Sequence, residues 1–77
     1  MLTPPSAIEA LLFASGEPLE KKRLAKLLGL KDSEFRLALK ALKEQLNGHG
    51  VSIIETGSEI EMRTAPEASV LVKKLRE

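Results

Sequence analysis

Seventy-seven residues make one domain at most, and a chain of this size buries only about 60% of the surface that its unfolded form exposes. The sequence has no cysteine, which excludes disulfides and thiolate metal centres, and its one histidine, His49, cannot make a zinc site alone, so association with another polypeptide is left as the means of reinforcement. Twelve basic and eleven acidic side chains give a net charge of +1, and the two aromatics, Phe13 and Phe35, are too few to build a base-stacking platform.

The first helix opens at Pro4 and Pro5, since proline suits the first helical turn, and stops at Gly16. Ile8, Leu11, Leu12 and Ser15 follow helical spacing and mark its inward direction. At about 100° per residue, Phe13 then points about 140° from Ile8 and Ala10 about 200° from it, with Ala14 at the flank. The run "IEALLFAS" holds only two polar side chains, Glu9 and Ser15. A helix that is apolar all round belongs in an interior, and so small a domain lacks the material to enclose it. Ala10, Phe13 and Ala14 are therefore the expected self-association face, because exposed apolar patches mark interfaces. The competing reading folds the N-terminal segment or the last helix over Phe13.

"GEP" makes a turn into a second helix, expected from about Leu19 to Leu28 with Leu24, Leu27 and Leu28 inward, and Gly29 ends it. After "LKDSE", with Asp32 as the expected N-cap, a third helix runs to about Leu46 with Phe35, Leu39, Leu42 and Leu46 on one stripe. "NGHG" ends that helix, and the period switches to two. "VSIIE" and "EIEMR" flank Gly57-Ser58, a pair suited to a type II′ hairpin turn. That turn sets Ile53 opposite Met62 and Glu55 opposite Ile60, with Val51 on the same face and Ser52, Ile54, Glu61 and Arg63 on the other. "TAPE" has the form of a capping box, with Pro66 early in a last helix lined by Ala68, Leu71, Val72 and Leu75. The expected fold is α+β, mostly α: a winged helix-turn-helix of three helices, a hairpin wing and a short C-terminal helix, residues 1–77 forming one domain.

A winged helix that reads DNA needs Arg, Lys, Asn or Gln on the outer face of its third helix and cations toward phosphates. Here that face reads Ser33, Leu37, Lys40, Ala41 and Glu44, and the wing sets Glu55, Glu59 and Glu61 against Arg63. Lys21, Lys22, Arg23 and Lys26 are the cations that could touch a phosphate backbone; a solvated helix face is the preferred reading of them, and sequence-specific DNA binding is disfavoured. No catalytic constellation assembles. His49 sits between two glycines, Ser15 lacks a nucleophile elbow, and no glycine-rich loop cradles a phosphate. The expectation is no enzyme, no cofactor and no metal. No apolar run nears the roughly 18 residues of a membrane span. "MLTPPSA" lacks the basic start of a signal peptide, so a cytoplasmic location is expected, which the resemblance described next narrows to the nucleoid.

"IEALLFASGEPL", then "LAKLLGL", then a long third helix and "EMRTAPE" resemble the segregation and condensation protein B (ScpB) family along essentially the whole chain. Two positions depart from the pattern: Ile60 stands where an aromatic is expected and Ala68 where tyrosine is common. The resemblance implies the first of two winged-helix domains, the second being absent here. It further implies a non-enzymatic subunit of the bacterial structural-maintenance-of-chromosomes (SMC) complex. Such a subunit forms a homodimer and binds the kleisin, segregation and condensation protein A, and through it the ATPase heads, in chromosome condensation and segregation. Leu37 and Ile54 are further candidates for partner contact. The alternative is a DNA-binding winged-helix transcription regulator using the basic patch at Lys21, Lys22 and Arg23.

Overall fold

Proline at both of its first two positions and glycine just past its last delimit the first helix, α1 (Pro4–Ser15), in the computed structural model, which describes residues 1–77. Thr3 caps it, its Oγ1 accepting from the Ser6 backbone N–H at 3.4 Å. Gly16, in the left-handed region at φ 66°, closes it by donating to the Leu12 carbonyl at 3.3 Å. A two-residue strand, β1 (Leu19–Glu20), precedes α2 (Lys21–Leu28) and α3 (Asp32–Gln45). The hairpin β2 (Val51–Thr56) and β3 (Glu59–Thr64) follows, and a single 3-10 turn over Pro66–Ala68 leads into α4 (Ser69–Arg76). No helix is long and apolar enough to cross a membrane.

The hairpin register is the expected one, Ile53 opposite Met62 and Glu55 opposite Ile60. Gly57 has φ 55° and Ser58 does not have positive φ, as a type II′ turn requires. A Cβ built on Gly57 meets nothing within 4 Å, so alanine there carries only the backbone penalty of a left-handed L-residue. Gly57→Ala should destabilise the domain by about 1–2 kcal/mol in chemical denaturation; equal or higher stability would refute that turn geometry.

Ile8 and Leu12 of α1, Leu24 and Ala25 of α2, Phe35, Ala38, Leu39 and Leu42 of α3, the cap residue Leu46 and Ile60 of β3 form one buried cluster. Val51, Ile53 and Met62 close it on the hairpin side. α3 packs across α1 because its stripe at positions i, i+3, i+4 and i+7 presents a continuous apolar ridge.

Five local expectations are corrected. First, Leu19 does not begin α2. It pairs with Ile60, so the sheet has three strands in the order β1-β3-β2 rather than a bare hairpin. Second, Leu27 faces solvent at 61% exposure. Leu24, Ala25 and Leu28 centre the inward face of α2, and Leu27 lies about 105° from that centre at 100° per residue. Third, Lys31 rather than Asp32 is the N-cap of α3; its backbone N–H is held by the Glu34 carboxylate at 2.8 Å and Asp32 is the first helical residue. Fourth, Thr64 remains in β3, paired with Val51, and makes no capping box; Ala65 precedes the 3-10 turn without a side-chain cap. Fifth, Leu71 and Leu75 do not line a core. They are exposed, because α4 packs chiefly against its own 3-10 turn, and only Val72 of its apolar residues is half-buried.

Candidate functional site

The outer face of α1 is where burial and composition disagree most. Ile8 and Leu12, at one face, are inaccessible, while Phe13 on the other is 79% exposed and Ala10 and Ala14 flank it in the open. Neither the N-terminal segment nor α4 folds over the ring, which removes both ways of hiding it within one protomer. The exposure follows from helix geometry: one side of α1 is committed to α3 and β3, and an aromatic about 140° round the helix cannot turn inward as well.

Between this face and the hairpin runs an open groove of about 510 Å³. Leu2, Ala10, Phe13, Val51 and Met62 supply its apolar lining, Ser6 is polar and Glu9 is its one charged residue. The far side of α1 borders a second groove, shared with β1 and α2, lined by Leu11, Ala14, Leu19, Leu24 and Leu27 and edged by Glu17 and Arg23. Ala10 and Phe13 thus belong to one groove and Ala14 to the other. Leu2, Val51, Met62, Leu19 and Leu27 are the lining residues that sequence reasoning missed as surface features. Periodicity along α1 gives its outer direction, but nothing local to Leu2 or Met62 ties them to it.

Leu37, on the outer face of α3, is 69% exposed, among Ser33, Lys40 and Glu44, which are exposed as well. Ile54 lies on the hairpin face away from the core, where it is half-buried rather than free. The structure does not bring Leu37 or Ile54 into either groove beside Phe13.

The cations divide into paired and free. Lys21 Nζ lies 2.7 Å from Glu55 Oε2, and Lys43 Nζ meets the other oxygen of the same carboxylate. This three-way cluster joins the start of α2, the end of α3 and the wing. All three side chains are about a third or more exposed, so solvent screens the cluster and it contributes little stability. Its consequence is electrostatic: the wing carboxylate occupies Lys21, leaving Lys22, Arg23 and Lys26 as the exposed cations of the basic patch. On the wing itself Arg63 is held by Glu61 at 2.7 Å. A phosphate backbone approaching the wing meets Arg63 and Lys21 already engaged by carboxylates, and only Lys22, Arg23 and Lys26 of the patch stay unpaired.

Nothing gathers around the residues with chemical potential. Ser15 Oγ donates to the Glu17 carbonyl at 2.9 Å and accepts from the Glu17 N–H at 3.3 Å, which spends the hydroxyl on the turn after α1. His49 stands exposed in the loop between α3 and β2, its backbone N–H donated to the Leu46 carbonyl. No three His, Cys, Asp or Glu side chains are grouped so as to hold a metal ion. The arrangement offers apolar surface for another polypeptide to cover.

Comparison with known proteins places this surface in context. Residues 6–77 match the family model described as segregation and condensation complex subunit ScpB. The chain is 38% identical over 72 residues to segregation and condensation protein B of Clostridium botulinum (strain Kyoto / Type A2), covering 91% of this chain and 37% of that protein. It is 37% identical over 71 residues to the protein of the same name from Carboxydothermus hydrogenoformans, covering 90% and 38%. The chain therefore spans under two fifths of the length of these relatives. Among solved structures, a crystal structure of a dimer of the ScpB N-terminal domain complexed with a ScpA peptide superposes with a TM-score of 0.84 at 27% identity, covering 92% of this chain and 91% of that one. ScpB from Mycobacterium tuberculosis superposes with a TM-score of 0.83 at 22% identity, over 97% of this chain and 50% of that one, and so shares the fold. The fold is thus the winged helix of the ScpB N-terminal domain, and with a family match over nearly its whole length the chain belongs to the segregation and condensation complex subunit ScpB family.

Proposed function

We propose that this chain is a non-enzymatic assembly module, corresponding to the first winged-helix domain of a longer family pattern, that forms a homodimer through α1 and binds the kleisin subunit, ScpA, of the bacterial SMC complex. Through the kleisin it reaches the ATPase heads and serves chromosome condensation and segregation in the cytoplasm. The observation that carries this reading is the Phe13 ring, exposed beside Ala10 and Ala14 on a helix whose other face is core. Support comes from the similar domain that has been crystallised as a dimer with a ScpA peptide. Leu37 and Ile54 are proposed as secondary partner contacts on other faces.

Isothermal titration of the 77-residue chain with peptides from the central and C-terminal parts of the kleisin tests the reading. Saturable binding to one of them is expected, and no binding to any would sink it. Duplex DNA is the contrasting titrant. With Lys21 and Arg63 engaged by glutamates, duplex binding should be weak. Nanomolar affinity at physiological salt, with a steep log–log salt dependence from several neutralised phosphates, would favour the transcription-regulator alternative instead.

A further inference from the structure

α4 is an amphipathic helix with nothing to lie on. Val70, Leu71 and Leu75 are all more than 60% exposed, Val72 alone of its apolar side chains is half-buried, and the helix packs chiefly against the 3-10 turn that leads into it. The molecule measures 43 × 24 × 20 Å, and its radius of gyration is 13.2 Å where a compact chain of 77 residues has about 11.5 Å. An eight-residue helix is too short to be stable in water by itself, so α4 needs its apolar face covered.

The groove between α1 and the hairpin has the complementary defect. Its apolar lining of Leu2, Ala10, Phe13, Val51 and Met62 is open, and its one charge is the acidic Glu9. The charges on α4 are all basic: Lys73, Lys74 and Arg76. Area supports the match. A phenylalanine buries about 150–250 Å², so two Phe13 rings supply about 300–500 Å², well short of the roughly 1,200 Å² of a stable interface. The two rings therefore need further apolar surface beside them, and α4 exposes three large apolar side chains, Val70, Leu71 and Leu75.

We propose that in the dimer α4 of each copy lies in the α1–hairpin groove of the other. Leu71 and Leu75 cover Phe13 and Met62, and Lys74, about 80° round the helix from their centre, faces Glu9. Each copy gives one helix and receives one, so the contact closes with two-fold symmetry and leaves no unfilled groove to propagate a filament. The segment Ala65–Ala68, containing Pro66, is the connection across which the helix crosses over. The proposal rests on the homodimer reading above and specifies which elements build that dimer.

The absence of native cysteine makes a direct test clean. Ala10→Cys and Leu71→Cys chains, distinguished by a tag, are mixed and oxidised, and a disulfide joining position 10 of one copy to position 71 of the other is expected. Sedimentation of Leu71→Glu/Leu75→Glu should show at least a tenfold weaker dimer with an unchanged monomer unfolding transition. Lys74→Glu should weaken the dimer, and Glu9→Lys should partly restore it. A parent chain that dimerises while giving no mixed disulfide, with the Leu71/Leu75 variant equally dimeric, overturns the exchange and leaves the dimer reading standing. An intramolecular disulfide in the doubly substituted chain overturns it as well, by showing that α4 folds back onto its own groove. A parent chain that is monomeric at all concentrations overturns both.

Discussion

Replacing Phe13 by alanine is expected to dissociate the homodimer while leaving the monomer's unfolding midpoint nearly unchanged. The ring is 79% exposed in one protomer, so its loss opens no cavity in the core, and exposed substitutions of this kind shift stability by about 0.5 kcal/mol or less. In a symmetric dimer the same substitution acts twice. Burying each ring contributes about 1.5–3 kcal/mol, so two rings amount to about 3–6 kcal/mol. At about 1.4 kcal/mol per factor of ten, the dimer Kd should rise by about 10²–10⁴. Sedimentation velocity across a concentration series measures the first quantity and denaturant unfolding of dilute protein the second. An unchanged sedimentation profile would remove α1 from the interface, and a large loss of monomer stability would mean that the ring serves the fold instead.

Ile60→Ala should have the opposite signature, a severe loss of stability at every concentration. Ile60 is inaccessible, lies in the middle strand of the sheet between Leu19 of β1 and Glu55 of β2, and belongs to the same buried cluster as Ile8 and Leu12. Removing an isoleucine side chain from such a site costs about 2–5 kcal/mol, the transfer term plus the cavity left behind. A domain of 77 residues has a total stability of only about 4–12 kcal/mol, so the variant should lose a large share of it and unfold at a markedly lower temperature. Leu37→Ala, at a 69% exposed site of similar chemistry, is the control and should unfold like the parent. Equal behaviour of the two variants in thermal denaturation would mean that the sheet does not close the core at Ile60.

The two variants separate the apolar residues that hold the domain together from those available to a partner, and much of that division is readable before any coordinates. Each side chain on a helix points in a direction set by its position in the 3.6-residue repeat, so Ile8 and Leu12 against Phe13 and Ala10 is a local matter. The same holds for the α3 stripe from Phe35 to Leu46. The hairpin register is equally local, because Gly57-Ser58 allows one tight turn and the alternation of VSIIE and EIEMR allows one pairing across it. The departure at Ile60 changes the size of the residue but not its place, which the register alone assigns.

Other features depend on residues distant in the chain. Leu19 reads as the first turn of a helix because it follows a proline turn and precedes KKRLAKLL. It becomes a strand because β3 offers a free edge some forty residues later. Leu27 has helical spacing from Leu24, yet the inward centre of α2 is set by where α1 and α3 lie, and Ala25 is buried in its place. The TAPE capping box fails because Thr64 is still paired with Val51.

By itself the sequence determined the boundaries of the first three helices to within a residue or two, the wing and its register, the α3 core stripe and the surplus of apolar surface on α1, since each follows from short-range geometry and periodicity. Only the tertiary structure decided that the surplus stays uncovered, that Leu2, Val51 and Met62 join Phe13 around one groove, that Lys21 and Lys43 converge on Glu55, and that α4 leaves Leu71 and Leu75 exposed. Those outcomes depend on which distant elements meet, and periodicity along a chain carries no information about what lies across from it.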